Sequence, residues 1–194
     1  MHRDGDRASK GDDPIRTFLV ACAERLTRHA TTAPATDGAA AFAGAVERAT
    51  PLPFEPSWLP ALDTIREVDT IREVDPTPLG RRFIEVAPLL RWEPTFRTDD
   101  NGTEIALAQL ERIFDLGELT VGVMYVASGC CYPLHAHPPH ELYLTLAGHG
   151  EWRYGGHDGF RAIAPDAVLY NHPGDLHSAV AGTTPLVALY VLWP

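Results

Sequence analysis

The chain is short of positive charge. Its 16 Lys and Arg residues stand against 26 Asp and Glu, a formal net charge of −10 over 194 residues. A nucleic acid or an anionic membrane surface asks for a basic face, so this balance argues against both as partners. No basic helix-turn-helix candidate is visible either. A small ligand with a cationic part meets no such repulsion. Cysteine is scarce too. Cys22, Cys130 and Cys131 are too few for a disulfide framework, and neighbours in sequence bridge poorly. We read Cys130 and Cys131 as small strand residues rather than a redox or metal-binding pair. The N-terminal MHRDGDRASKGDD lacks the apolar core of a secretory signal, and no uninterrupted apolar run approaches the roughly 20 residues of a membrane span. The expectation is a cytoplasmic protein with no membrane partner; a homodimer is left open.

A hydrophobic content of 45% is enough to fill a core. The pattern of that content changes near residue 100. In DPIRTFLVACAERLTRHA, the residues Ile15, Phe18, Leu19, Cys22 and Leu26 recur at helical spacing, with Asp13 as N-cap and Pro14 at the first helical position. Further helices are expected over TDGAAAFAGAVERA (36–49) and PLGRRFIEVAPLLRW (78–92), with prolines 51, 53, 56 and 60 punctuating the interval. DTIREV occurs in tandem at 63–68 and 69–74, a unit too short for a solenoid repeat. After residue 116, ELTVGVMYVAS, ELYLTLAG, GEWRYGG, FRAIAP, AVLYNHPG and PLVALYVLW read as short strands between turn signals. The expected organisation is a helical section over 1–100 packed on a β-barrel over 101–194.

Seven of the nine histidines fall between 135 and 177. Side chains at i and i+2 of a strand share a face, so His135 and His137 are expected to point one way, and Glu141 and Tyr143 to share a face of the next strand. His177 follows the Pro173-Gly174 turn. Three imidazoles and a carboxylate suit one divalent first-row ion such as Zn, Fe, Mn, Co or Ni. Beside such a cation a phenol whose ordinary pKa is about 10 becomes more acidic, which makes Tyr143 a credible general base. His140, His149 and His157 flank turns and are expected in solvent, while His172 is a candidate to support His177.

Gly129, His135-x-His137, Glu141 and Gly148 fit the first motif of the cupin superfamily at every position. Pro173-Gly174-Asp175-Leu176-His177 keeps the histidine of the second motif but lacks the residue between Pro and Gly, and Ala181 stands where Asn is usual. The resemblance implies a mainly β fold: a double-stranded β-helix, jelly-roll-like, with an N-terminal α-helical section. It also implies a metal held by His135, His137, Glu141 and His177.

The longer arrangement YPxHxHPxxExYxxLxG, with PLLRWEPTFR (88–97) and LVALYVLW (186–193), resembles the cupin-type dimethylsulfoniopropionate (DMSP) lyases over roughly residues 80–194. The family cleaves its zwitterionic substrate to dimethyl sulfide and acrylate with a divalent metal and a tyrosine base. By position, Tyr143 resembles that base, Tyr132 the substrate-contacting tyrosine and Trp193 an aromatic pocket residue. A sulfonium suits the faces of Tyr132, Trp152 or Trp193 through cation–π attraction. The rival readings are a cupin dioxygenase, an isomerase of another small substrate, and a non-enzymatic binding cupin.

Overall fold

The computed structural model describes residues 13–57, 77–95 and 105–194. The DTIREV repeat, Pro60 and the residues Phe96 and Arg97 lie outside them. Helix α1 (Pro14–His29) starts where its cap requires: the Asp13 carboxylate accepts from the backbone N–H groups of Ile15 and Arg16. Ile15, Phe18, Leu19, Cys22 and Leu26 form its buried stripe, joined by Ala23. Helix α2 (Ala33–Arg48) begins three residues before the expected start, because the Thr32 hydroxyl caps it and Pro34 suits a first turn that has no use for its N–H. Helix α3 (Pro78–Val86) is shorter than expected. It gives way to a 3₁₀ turn over Ala87–Leu89, where Pro88 has no N–H with which to continue the ladder, and Trp92 already belongs to a strand.

Twelve strands follow one another in the described residues. They are β1 (Thr50–Pro51), β2 (Trp92–Pro94), β3 (Ile105–Gln109), β4 (Phe114–Asp115), β5 (Thr120–Val126), β6 (Cys131–His135), β7 (His140–Ala147), β8 (Gly150–Arg153), β9 (Arg161–Ile163), β10 (Val168–Asn171), β11 (His177–Ala181) and β12 (Leu186–Trp193). β1 and β4 form a two-stranded ribbon. The rest form a six-stranded sheet in the order β10-β7-β12-β5-β3-β2 and a four-stranded sheet in the order β6-β11-β8-β9. Two facing sheets make the mainly β, cupin-type barrel that the sequence motif implies. β2 lies before residue 100 yet pairs with β3 in the larger sheet.

Why β7 and β12 read as almost unbroken apolar runs is clear from what lies on each side. One face of the six-stranded sheet packs against the helices: Leu142, Leu144, Leu146, Val187, Leu189 and Val191 share a core with Phe18, Phe42 and Phe83. The other face looks into the barrel, where Tyr143, Ala188 and Tyr190 pack with Trp152, Ala179 and Met124. A strand covered on both faces loses its polar alternation. Between β7 and β8 the chain turns at Gly148 (φ +78°), where a Cβ would sit 1.9 Å from the Pro185 carbonyl oxygen. Only glycine fits there. No helix among the described residues is long and apolar enough to cross a membrane.

Candidate metal centre

β6 and β11 run antiparallel with His135 opposite His177. The pairing slips by one residue before it resumes at Tyr132 opposite Ala179, so β6 carries an extra residue between Tyr132 and His135. That irregularity, at Pro133 and Leu134, puts two side chains three apart in sequence on the same inner face. Their rings meet edge-on at 4.9 Å between centroids. His137 reaches the site differently from the sequence expectation. β6 ends at His135, so strand alternation does not place His137. Its backbone is instead pinned by a hydrogen bond from Gly174 N to its carbonyl oxygen, 2.9 Å. β7 then carries Glu141 and Tyr143 inward, as alternation requires.

His135, His137 and His177 each offer one nitrogen to a cluster in which these atoms all lie within 4.8 Å of one another. The Nδ1 atoms are spoken for. That of His135 lies 2.8 Å from the carbonyl oxygen of Pro133, that of His137 lies 3.1 Å from Pro139 O, and that of His177 lies 2.8 Å from Asp175 O. A carbonyl oxygen only accepts, so each Nδ1 carries the proton and each Nε2 turns a lone pair inward. Glu141, 2% exposed, places Oε2 3.2 Å from His137 Nε2 and 3.0 Å from His177 Nε2. Two arrangements satisfy such a convergence of acceptors: extra protons on adjacent imidazoles, or one cation. The first sets two imidazolium rings 4.9 Å apart, with like charges opposed. The second needs one divalent ion, and the donor set fits it.

Burial alone would raise the Glu141 pKa. Positive charge at the His137 and His177 Nε2 atoms, whether two protons or one cation, outweighs that and holds it at about 2. A partner missed in the sequence also holds this carboxylate. Asn171, fully buried and directly opposite Glu141 across β10 and β7, donates from Nδ2 to Oε2 at 3.1 Å, while its Oδ1 accepts from Gly155 N at 2.9 Å. Both ends of the amide are fixed, so it sets the carboxylate's orientation.

The adjoining cavity, about 120 Å³, is lined by Tyr132, His135 and His137 from β6 and the turn after it, and by Leu107, Thr120, Glu141, Tyr143, Tyr190 and Leu192 from the six-stranded sheet, with Thr95 just past β2. Tyr143 packs on Trp152 at 4.9 Å and on His177 at 6.1 Å between centroids. Burial pushes its phenol well above the ordinary value, and the Glu141 carboxylate adds to the rise. The protein by itself therefore keeps Tyr143 protonated.

Trp152 backs the Tyr143 ring rather than lining the cavity, and Trp193 lies outside it altogether. On β12 the residues Leu186, Ala188, Tyr190 and Leu192 face inward, so Trp193 falls on the helix side by alternation. There it stacks on His140 at 5.3 Å and packs so tightly on Gly38 of α2 that a Cβ would come within 2.5 Å. Trp193 thus borders a neighbouring hollow that shares Thr120 and Leu192 with the cavity, and the third tyrosine among the cavity's described residues is Tyr190. His140 is not free in solvent either: its Nδ1 pairs with the Tyr170 hydroxyl at 2.6 Å, which also pairs with His172 Nδ1 at 3.1 Å. His172 therefore does not support the His177 ring, whose Nδ1 goes to Asp175 O.

A larger hollow of about 600 Å³ lies between α1 and α2, lined by Val20, Ala23, Ala43 and Val46 with charged Glu24, Arg28 and Glu47. Among the described residues it brings together no metal-ligating cluster. The Cys131 thiol approaches Ser178 Oγ at 3.7 Å and the Tyr132 carbonyl oxygen, and Cys130 approaches Ser128 O. Neither belongs to the histidine group. A Cys130→Ser/Cys131→Ser double variant is expected to keep most of its metal and activity. Loss of metal on elemental analysis would make the thiols ligands after all.

The family model for dimethylsulfoniopropionate lyases matches residues 113–188. The curated dimethylsulfoniopropionate lyase DddQ of Ruegeria pomeroyi is 25% identical over 165 residues, 79% of each chain. The crystal structure of DMSP lyase DddQ from Ruegeria pomeroyi superposes with a TM-score of 0.71 and 26% identity, covering 94% of this chain and 92% of that one. A structure reported for the DMSP lyases RdDddP and RnDddQII gives 0.70 at 18% identity, over 92% of each, and speaks for the fold alone.

Proposed function

We propose, since the chain belongs to the cupin-type dimethylsulfoniopropionate lyase family, that it cleaves this substrate to dimethyl sulfide and acrylate by a tyrosine-initiated β-elimination. The observation that carries the reading is one small cavity that brings together a histidine cluster, an ionised carboxylate and Tyr143. His135, His137, Glu141 and His177 would hold the metal. A bound divalent ion supplies Lewis acidity to the substrate carboxylate and positive charge beside Tyr143.

The remaining work falls to the protein's own residues. The Tyr143 oxygen, as phenolate, takes the proton from the carbon alpha to the carboxylate. The released electron pair forms the alpha–beta double bond as the beta carbon–sulfur bond breaks, and the sulfonium departs as neutral dimethyl sulfide. Tyr132, in the same cavity, contacts the substrate and orients that proton toward Tyr143. The aromatic walls and the leucines around the cavity exclude water from the reacting carbons. Trp152 fixes the Tyr143 ring from behind, a supporting role in place of direct substrate contact. Detection of dimethyl sulfide in the headspace above purified, metal-loaded protein given DMSP tests the reading; its absence with every candidate ion would overturn it.

Asn171 gives a quieter test of the same centre. Outer partners that orient ligands typically alter metal affinity 10–100-fold. Asn171→Ala is expected to weaken metal binding by about that factor, since Glu141 loses the donor that fixes its orientation. Competition against a chelator measures it, and an unchanged affinity would show that Glu141 is held without it.

A further inference from the structure

Tyr190 was assigned no role from the sequence, yet it forms part of the cavity wall. It sits on β12 opposite Gly122 of β5 on one side and Tyr143 of β7 on the other. A Cβ on Gly122 would come within 2.3 Å of the Tyr190 hydroxyl oxygen and 2.5 Å of its Cζ. Gly122 has no positive φ, so its backbone does not demand glycine; the space above it does. The tip of the Tyr190 ring therefore lies down across β5 instead of standing up into the barrel. A ring laid along the sheet turns its face, not its edge, to the interior, and the face is the negative part of the aromatic quadrupole.

The cavity's charges point the same way. Of the ten described residues that line it, none is Lys or Arg, and the one carboxylate among them is Glu141 beside the histidines. An anionic group finds its place at the histidine cluster. Farther across the six-stranded sheet from β7, Tyr190 with Leu107 and Leu192 offers apolar surface and one aromatic face to whatever the other end of the ligand carries.

We propose that Tyr190, seated on Gly122, is the specificity-determining residue that recognises the onium head of a small zwitterionic substrate. Its aromatic face meets the cation while the carboxylate lies at the histidine cluster. This rests on the reading of the cavity as the substrate site, and it adds which residue selects for charge and why the neighbouring strand carries glycine there. Tyr190 acts by binding the head group; it takes no proton.

The test compares equilibrium binding of two shape-matched probes to the metal-loaded protein: trimethylammoniopropionate and its all-carbon isostere, a dimethylpentanoate. Cation–π attraction in a desolvated site is worth enough to predict a preference for the cation of about five- to thirtyfold in the wild type. Tyr190→Phe should keep it. Tyr190→Leu should bring the two probes within about twofold of each other, chiefly through weaker binding of the cation. Should the leucine variant fold poorly, fluorinated phenylalanines placed at 190 keep the ring's shape while draining its face, and the preference should fall stepwise with each fluorine.

No preference in the wild type, or a preference that survives both leucine and fluorination, overturns the proposal. These affinities do not depend on turnover. A protein that releases no dimethyl sulfide but shows the Tyr190-dependent preference would refute the lyase reading and leave the onium site standing.

Discussion

Tyr143→Phe is expected to lower DMSP turnover by about 10²-fold or more, the scale of a lost general base, while fold and metal content survive. The substitution removes a single oxygen. The ring keeps its packing on Trp152 and His177, and Glu141 keeps its contacts with His137, His177 and Asn171. What disappears is the oxygen proposed to accept the alpha proton, together with its hydrogen bond to the Glu141 carboxylate. In the protein without a cation, burial and the Glu141 carboxylate hold the phenol above its ordinary pKa of about 10, so the base form is scarce at neutral pH. A divalent ion beside it reverses the sign of the local field and favours the phenolate. The activity of the loaded enzyme should accordingly rise with pH through a limb well below pH 10. That limb should be missing from any residual activity of the Phe variant.

Tyr132→Phe should differ, shifting KM as well as kcat, since a residue that positions substrate acts in the ground state too. Solvent-deuterium exchange at the substrate's alpha carbon separates the roles. Exchange at the wild-type rate in Tyr143→Phe would remove Tyr143 from the mechanism. Full activity in Tyr143→Phe would favour a dioxygenase-like use of the same ligands, which has no need of that tyrosine.

How much of this site could be read from the chain depended on how each residue is held. Glu141 and Tyr143 lie inside one long strand, where alternation fixes the shared face, and their placement was legible. The alignment of His135 with Tyr132 was not, because an extra residue in β6 reverses the parity between them and no local pattern around Pro133 and Leu134 announces it. His137 lies past the strand end, positioned by a backbone hydrogen bond from a turn 37 residues later in the chain. β12 shows the limit from the other side. LVALYVLW is apolar at nearly every position because both faces are buried, so composition does not say which parity looks inward. Tyr190 and Trp193 have opposite parity, and only one of them can line the cavity. The family resemblance points to Trp193, whereas the residue of β12 that lines the cavity is Tyr190. Asn171 gave no signal in a strand that otherwise reads as plain sheet, since its role depends on standing opposite Glu141. The helices were easier: Asp13 and Pro14 mark a start by local chemistry alone, whereas β3 was missed because it precedes the region where turn signals become regular.

His177→Ala is expected to have the second large effect: metal affinity should fall by more than about 10²-fold, beyond the range typical of outer partners, and activity should nearly vanish. His177 is 2% exposed, its ring is held by the Asp175 carbonyl, and its Nε2 lies 3.0 Å from Glu141 Oε2. Removing it takes away one of three clustered nitrogens and one of the interactions that keep the Glu141 pKa near 2. The remaining carboxylate then sits in a buried site with less compensation, and its pKa must rise, since burial works against the charged form. Both changes weaken cation binding, one by losing a ligand and the other by favouring a protonated neighbour. His135→Ala and His137→Ala should follow the same course, and Glu141→Ala should lose metal while leaving the three imidazoles in place. Elemental analysis of each purified variant reads the outcome directly. Full occupancy in His177→Ala would break the four-ligand assignment, because no other described histidine joins that cluster to replace it.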